Sequence, residues 1–242
     1  LLEYAAQSNL KRVYLELGGK SPHVVFDDTA DLEAAAQAVV AGIFRNSGQV
    51  CIAGSRLLVQ DSIHDAFVEK IVELTEAMRV GDPLNLETQI GAMSSDAHLN
   101  RVLQSLESVK SVVTGGERIL TETGGYYMRP AIVTDMGPED RLVREEIFGP
   151  VLTVTRFTSE EDAVTLANAT ELGLAAGVWT SNLSRAHRMV SALRAGVVHV
   201  NTYGGADNTV PLGGYKQSGN GQDKSLHALD KYMNKKTAWI KL

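Results

Sequence analysis

The fold is decided by residues 23–59, which read HVVFDDTADLEAAAQAVVAGIFRNSGQVCIAGSRLLV. Apolar runs at 23–26 and 56–59 are short enough for strands, and the segment between them has the spacing of a helix. Asp31 is a candidate N-cap for that helix. The apolar side chains that would share one of its faces are Leu32, Ala35, Ala36, Val39 and Ile43. Strand, helix and strand in this order predict two parallel strands joined by a right-handed crossover, which indicates an α/β domain.

The same alternation continues on both sides of this unit. Further strands are predicted at 12–17, 151–157, 175–179, 197–200 and 235–242, and further helices at 96–110, 159–169 and 184–195. Another helix is predicted to begin at Ser62 as its N-cap and to bury an apolar stripe that ends at Met78. Residues 115–128 are polar and rich in glycine, which predicts a surface hairpin or loop.

Composition argues against several classes of partner. The chain has 242 residues, which is enough for one large or two small domains. Its formal net charge is −6 and no run of Lys or Arg stands out, so we expect no nucleic-acid partner. No apolar stretch approaches the ~20 residues of a membrane span, and residues 1–4 lack the basic segment of a signal peptide, so we expect no membrane partner and a cytoplasmic location. The six histidines are dispersed without metal-ligand spacing, so we expect no metal.

The single cysteine, Cys51, closes the run FRNSGQVC at 44–51. A lone cysteine cannot form an internal disulfide, and its commonest role is that of a small buried apolar residue. Its neighbours Asn46, Ser47 and Gln49 are polar, however, and Gly48 allows a ligand to approach the backbone closely. The run therefore favours a reactive thiol, although a free thiol with a pKa of ~8.5 is only slightly ionised at neutral pH.

Three more motifs accompany this run: LELGGKSP at 15–22, EEIFGPV at 145–151 and PLGGYKQSG at 211–219. In this order the four motifs closely resemble the NAD(P)-dependent aldehyde dehydrogenase superfamily, and the resemblance covers nearly the whole chain. The closing stretch GNGQDKSLHALDK at 219–231 is most similar to the branch that oxidises gamma-glutamyl-gamma-aminobutyraldehyde and related aminoaldehydes. The resemblance implies a three-layer α/β sandwich with a mostly parallel sheet, and a C-terminal strand that pairs with another subunit in a homodimer or homotetramer.

The resemblance assigns the two catalytic roles to Cys51 and Glu16. A thiolate that adds to an aldehyde gives a thiohemiacetal, which releases hydride to the nicotinamide of NAD or NADP and leaves a thioester. Glu16 matches the base that activates the water for hydrolysis. Its alternative role is that of a solvent-facing strand residue. A Glu at this position favours hydrolysis to the free acid, because relatives that pass the acyl group to coenzyme A generally lack it.

The cofactor-binding candidates lie in two of the motifs. Glu146 and Phe148 match the family positions that hold the nicotinamide ribose and flank the nicotinamide ring, and Leu17 and Gly18 complete the predicted set. The alternative for Glu146 and Phe148 is a carboxylate at a helix end and an aromatic residue of the core.

The substrate candidates are Tyr203 and Asp207, in the loop 201–208 that borders the substrate tunnel of the family. Asp207 is expected to attract the ammonium of an aminoaldehyde, and Tyr203 to pack on its methylenes or stack with the cation. The alternative for Asp207 is an ordinary turn residue beside glycine.

Members of the family are about twice as long as this chain, and the resemblance places most of their cofactor-binding half before Leu1. The expected organisation is a remnant of the cofactor-binding domain at 1–18, a catalytic domain at 19–219, and a C-terminal helix and oligomerisation strand at 220–242. With the family's catalytic Asn also outside the chain, the isolated chain is expected to be inactive as a dehydrogenase. Two alternatives stay open: a domain that only oligomerises, and a thiol esterase without a cofactor. Leu212 and Gln222 depart from the family, which usually has Phe and Arg there.

Overall fold

The computed structural model describes residues 1–107, 109–205 and 207–242. Ser108, which falls in the predicted helix 96–110, and Ala206, which falls in the loop 201–208, lie outside the described residues.

Helices and strands alternate along the chain as the sequence predicts. The helices are α1 Leu2–Gln7, α2 Leu32–Phe44, α3 His64–Glu76, α4 Asp96–Leu106, α5 Arg141–Arg144, α6 Glu160–Asn168 and α7 Leu183–Ala192. The strands are β1 Pro22–Val25, β2 Arg56–Gln60, β3 Val112–Thr114, β4 Arg118–Ile119, β5 Tyr127–Met128, β6 Ala131–Val133, β7 Val151–Phe157, β8 Leu172–Gly173, β9 Ala175–Trp179, β10 Val197–Val200, β11 Leu212–Gly213, β12 Tyr215–Lys216 and β13 Gln222–Asp223. Short 3-10 helices cover Arg45–Gly48, Asp61–Ile63, Thr121–Thr123 and Leu226–Lys231.

A seven-stranded sheet in the order β10-β9-β1-β2-β7-β6-β3 forms the centre of the molecule. Its neighbouring strands are parallel except for the edge pair β3 and β6, which is antiparallel. The predicted unit of β1, α2 and β2 lies in its middle, with His23 of β1 between Leu57 of β2 and Gly177 of β9.

Helices cover both faces of this sheet. Since successive strand residues point to opposite faces, Val25 packs with α2 and α3 on one side, and Val24 packs with α6 and α7 on the other. The first core contains Phe44 and Ile71, and the second contains Met189. The predicted three-layer α/β sandwich with a mostly parallel sheet is confirmed. Within the described residues, no helix has both the length and the apolar character that crossing a bilayer requires.

Local helix signals are confirmed with shifted ends. Asp31 caps α2 by accepting a hydrogen bond from the amide of Ala34 at 2.8 Å. The predicted cap at Ser62 is wrong, because its hydroxyl donates to Asp27 Oδ2 at 2.9 Å, and α3 begins only after a 3-10 turn. The helix predicted at 96–110 ends at Leu106, before the predicted boundary.

The strand predicted at 12–17 is wrong, and the strand predicted at 235–242, which would pair with another subunit, stays a prediction. Residues 12–17 contribute only a single antiparallel bridge, between Glu16 and Gly219. Residues 235–242, all of them described, form no strand, and Trp239 in that segment is 94% exposed. A strand needs a neighbour to complete its hydrogen bonds, and neither segment has a regular one. The hairpin predicted within 115–128 is confirmed as β4 and β5, although Tyr127 and Met128 are buried.

Candidate active site

Three of the sequence motifs meet at one edge of the sheet. Glu16 lies in the segment that enters β1, Cys51 in the segment that enters β2, and Glu146 in the segment that enters β7. Because β1, β2 and β7 are adjacent and parallel, their amino ends lie side by side. The site therefore forms at the amino-terminal edge of these strands.

Cys51 sits on a tight turn and carries a free, exposed thiol. The turn is closed by a hydrogen bond from the amide of Ala53 to the carbonyl of Val50 at 2.9 Å. The chain enters it through Asn46, Ser47 and Gly48, which all have a positive φ, a backbone conformation that L side chains adopt only at a cost.

Glycine is required where the motifs touch. A Cβ on Gly48 would collide with the carbonyl of Gly149, and a Cβ on Gly19 would collide with the carbonyl oxygen of Cys51. The two glycines therefore let the motifs at 15–22 and 145–151 pack directly against the backbone of the cysteine loop.

Glu146 is held by Gly18 and Gly19 of the motif at 15–22. Its Oε1 accepts a hydrogen bond from the amide of Gly19 at 3.0 Å, and a Cβ on Gly18 would occupy the position of its Oε2. Burial raises the pKa of Glu146, and the Gly19 amide and the positive charge of Lys20 act in the opposite direction.

Phe148 does not take the alternative role of a core aromatic. Its backbone has a positive φ, its side chain is 39% exposed, and its carbonyl hydrogen-bonds to His98 Nε2 at 2.6 Å. Leu17 is also exposed, at 46%. An apolar side chain from each of two motifs is thus left uncovered near the Glu146 carboxylate.

Glu16 lies in a small charged cluster that the sequence did not predict. Burial raises the pKa of the Glu16 carboxyl, the negative charge of Asp223 raises it further, and the positive charge of Lys231 lowers it. Lys231 itself pairs with Asp223. These two residues were missed because Asp223 lies on the two-residue strand β13 and Lys231 ends the 3-10 helix Leu226–Lys231, and only the fold brings these elements to Glu16.

Lys20 and Arg56 are buried beside the site, and the sequence did not indicate that either side chain would be buried. Burial, together with the charge of Arg56, lowers the pKa of Lys20 to about 7. Arg56 donates hydrogen bonds to the carbonyls of Lys20, Leu166 and Ala167 at 2.9, 2.8 and 2.6 Å. Arg56 thus ties the loop before β1 to the end of α6.

The structure brings both substrate candidates, Asp207 and Tyr203, to the residues that flank Cys51, in two neighbouring cavities. Asp207 lines a cleft of about 200 Å³ with Val50 and Ile52, the residues that flank Cys51, and with Lys224. Its Oδ1 also accepts hydrogen bonds from the amide and the hydroxyl of Thr209, both at 2.8 Å, as a turn residue would. These bonds lower the pKa of Asp207.

Tyr203 lines a neighbouring cavity of about 130 Å³ and donates its hydroxyl to the carbonyl of Ile52 at 2.7 Å. Within the described residues, no group of His, Cys, Asp and Glu has the arrangement of a metal site.

The surroundings of Cys51 disfavour its thiolate. Burial raises the pKa of the Cys51 thiol, and the negative charges of Glu146 and Glu16 raise it further. At neutral pH the thiol is therefore mostly protonated, and Glu146 and Glu16 are the carboxylates that oppose its ionisation.

We expect Glu146→Gln to raise the rate at which iodoacetamide alkylates Cys51 about threefold near neutral pH. Only the thiolate reacts, so loss of a negative charge lowers the pKa of the thiol and moves the rate profile to lower pH. The profile is measured by mass spectrometry across pH. The control is Glu145→Gln, an adjacent exposed carboxylate that pairs with Arg141 at 2.5 Å. Superimposable profiles for wild type and Glu146→Gln would show that this charge does not act on the thiol.

Comparison with known proteins identifies relatives over the whole chain. The model of the aldehyde dehydrogenase family matches residues 1–238. The chain is 51% identical to the NADP/NAD-dependent aldehyde dehydrogenase PuuC of Escherichia coli (strain K12), in an alignment that covers 100% of this chain and 49% of that protein. The chain thus spans about half the length of the curated relatives it matches.

Solved structures agree with the described fold. The indole-3-acetaldehyde dehydrogenase AldA of P. syringae, in complex with NAD+ and IAA, superposes with a TM-score of 0.97 at 50% identity, covering 100% of this chain and 50% of that one. The gamma-glutamyl-gamma-aminobutyraldehyde dehydrogenase of Burkholderia cenocepacia J2315 superposes with a TM-score of 0.93 at 52% identity, covering 95% of this chain and 47% of that one.

Proposed function

Because this chain belongs to the aldehyde dehydrogenase family, we propose that it supplies the thiol and the base of an enzyme that oxidises an aldehyde to a carboxylic acid with NAD or NADP. The observation that supports this most strongly is the position of the Cys51 turn against Gly19, within reach of the charges of Glu16 and Glu146.

The proposed chemistry runs through covalent intermediates on Cys51. The thiol first loses its proton to solvent, and the thiolate then adds to the aldehyde carbon while the carbonyl π electrons move to oxygen to give a thiohemiacetal. Loss of a hydride from that carbon re-forms the carbonyl as a thioester. Glu16 then takes a proton from water while the water oxygen attacks the thioester carbon, and the C–S bond breaks. The carboxylic acid leaves and the thiol is regenerated with the proton that Glu16 held.

The residues present fit a nicotinamide cofactor. The space over Gly18, which a Cβ would fill, keeps the Glu146 carboxylate in place for a ribose hydroxyl, and the exposed Phe148 and Leu17 offer apolar contacts to a planar ring. When bound, the oxidised nicotinamide supplies the acceptor for the hydride. On this proposal Glu146 orients the cofactor and Gly18 gives it access to the cysteine turn.

For the substrate we propose an aminoaldehyde. Asp207 places a carboxylate in the cleft lined by Val50 and Ile52, the neighbours of Cys51 in sequence, and one of its oxygens is not occupied by Thr209. The relative from Burkholderia cenocepacia is named for gamma-glutamyl-gamma-aminobutyraldehyde, which supports the same choice. Lys224 lines the same cleft and partly offsets the charge of Asp207, so the preference for a cation is expected to be modest.

Aldehyde capture by Cys51 tests this function without a cofactor. A thiohemiacetal blocks alkylation, so butanal and 3-aminopropanal, which differ by a methyl in place of an ammonium, are compared for protection of Cys51 from iodoacetamide. We expect both to protect, with 3-aminopropanal effective at an about threefold lower concentration, since exposed ion pairs are weak. Asp207→Asn is expected to remove this difference and to leave protection by butanal unchanged.

The two parts of the proposal fail separately in this experiment. If neither aldehyde protects Cys51, the thiol is not an aldehyde acceptor and the proposed function is wrong. If both protect equally in the wild type, only the preference for an aminoaldehyde is wrong. Asp61→Asn, an acid at the far end of β2, controls for a general loss of negative charge.

We further propose a cytoplasmic, homo-oligomeric enzyme. The lone free thiol suits a reducing compartment. The exposed apolar side chains of Trp239, Ile240 and Leu242 would be covered if this segment paired with a second copy of the chain.

A further inference from the structure

The ring of Tyr203 is enclosed by histidine and glycine residues between the sheet and α2. Its centroid lies 4.3 Å from that of His23 and 5.1 Å from that of His199. A Cβ on Gly42 would lie 3.0 Å from the ring, and a Cβ on Gly54 would lie 3.4 Å from it. The ring therefore fills a space that any larger side chain at these glycines would take.

His23 is itself fixed beneath this ring. Its Nε2 accepts a hydrogen bond from the indole Nε1 of Trp179 at 3.1 Å. The indole nitrogen only donates, so the neutral imidazole carries its proton on Nδ1. Burial lowers the pKa of His23 to about 3, which keeps the ring uncharged. Tyr203 thus rests on a neutral, hydrogen-bonded support.

The hydroxyl of Tyr203 binds the Ile52–Ala53 peptide, one residue beyond Cys51. The Ile52–Ala53 peptide donates its N–H to the carbonyl of Val50 at 2.9 Å, and its carbonyl accepts the Tyr203 hydroxyl at 2.7 Å. Both polar groups of one peptide are therefore fixed, one within the turn and one by a side chain distant in sequence. A peptide held at both ends cannot rotate without breaking a hydrogen bond.

We propose that Tyr203 is a positioning residue whose hydroxyl locks the turn that presents the Cys51 thiol. The inference rests on the proposed function and deepens it, since it replaces the predicted contact between Tyr203 and the substrate cation with a role in the catalytic loop. The lock acts on the direction of the Cys51 side chain and of its backbone N–H, which would donate to the oxygen of the adding carbonyl. Burial also raises the pKa of Tyr203, so its hydroxyl stays a donor throughout the working pH range.

Tyr203→Phe tests this lock, because it keeps the ring and removes only the hydroxyl. We expect the Ala53 amide to exchange its hydrogen about tenfold faster, as one lost hydrogen bond to a part-buried carbonyl allows the turn to open. The Ile71 amide, in the core of α3, is expected to be unchanged. Tyr215→Phe, which removes the hydroxyl of a 52% exposed ring, is the matched control. Equal exchange at Ala53 in wild type and Tyr203→Phe would overturn the proposal.

A second measurement separates positioning from general loosening. Acylation of Cys51 by 4-nitrophenyl acetate requires the thiol to point at the ester carbon while the Cys51 N–H donates to the ester oxygen. Alkylation by iodoacetamide requires only an accessible thiolate. We expect Tyr203→Phe to slow acylation about tenfold and to change alkylation less than twofold. Equal slowing of both reactions would assign Tyr203 a merely structural role. An unacylated wild type would count against the proposed function, and the exchange at Ala53 would still decide on the lock.

Discussion

Replacing Glu16 with Gln is expected to stop turnover after the first acyl transfer, so that acylated Cys51 accumulates. Gln keeps the shape of the side chain but cannot take the proton of the attacking water, and loss of a general base typically costs about 10²–10⁴ in rate. The measurement is the deacylation rate after a pulse of 4-nitrophenyl acetate, followed by the intact mass of the chain. Glu3→Gln, an exposed substitution in α1, is the control.

The pH dependence of deacylation gives an independent check on Glu16. A base must be ionised to act, and burial and the charge of Asp223 raise the pKa of this carboxyl. Deacylation is therefore expected to fall as pH decreases through a range in which an ordinary Glu would still be ionised. Persistent deacylation in Glu16→Gln, or a wild-type profile without this fall, would remove Glu16 from the role of base.

The largest effect on stability is expected from Arg56→Met. Arg56 is 1% exposed and donates to three backbone carbonyls. Met fills a similar volume but would leave the carbonyls of Lys20 and Ala167 without a donor, whereas that of Leu166 keeps the amide of Ala169 at 3.2 Å. Since each unsatisfied buried polar group costs about 1–3 kcal/mol, we expect a loss of about 3–5 kcal/mol in the free energy of unfolding. Burial lowers the pKa of Arg56 to about 10, so the residue is still charged at neutral pH and the effect is expected to be the same across that range.

Urea unfolding measures this loss as a lower midpoint at an unchanged slope. Arg12→Met, at an exposed position, controls for loss of a positive charge and is expected to change stability little. A midpoint for Arg56→Met within error of the wild type would show that water or rearranged backbone satisfies the carbonyls of Lys20 and Ala167.

Local patterns predicted the elements whose structure depends on nearby residues. The unit of β1, α2 and β2 follows from an apolar strand, an Asp cap and a helical stripe, all within residues 23–59. The order of the sheet was not predictable in the same way, because it depends on pairings such as β1 with β9, which are distant in sequence. The strand predicted at 12–17 failed for the same reason, since a strand pattern does not supply a neighbour.

The site residues that lie in sequence motifs were predicted, and those brought close only by the fold were not. The motifs around Cys51, Glu16 and Glu146 were recognisable, and the structure brings them together. Lys20 and Arg56 were not recognisable as buried, because charged residues are usually exposed and only the fold shows what surrounds them. Asp223 and Lys231 were missed because only the fold brings the two-residue strand β13 and the end of a short 3-10 helix to Glu16.

The site lies at the amino ends of β1, β2 and β7, so the connections at the two ends of these strands differ in how well they tolerate inserted residues. The connections that leave these strands, after Val25, Gln60 and Phe157, run along the opposite edge. Exposed connections of this kind tolerate added residues well when they carry no functional side chain. We therefore expect tags, docking segments or regulatory inserts to be tolerated there. An insert in the connection after β10 is expected to be harmful, because this connection brings Tyr203 to the cysteine turn.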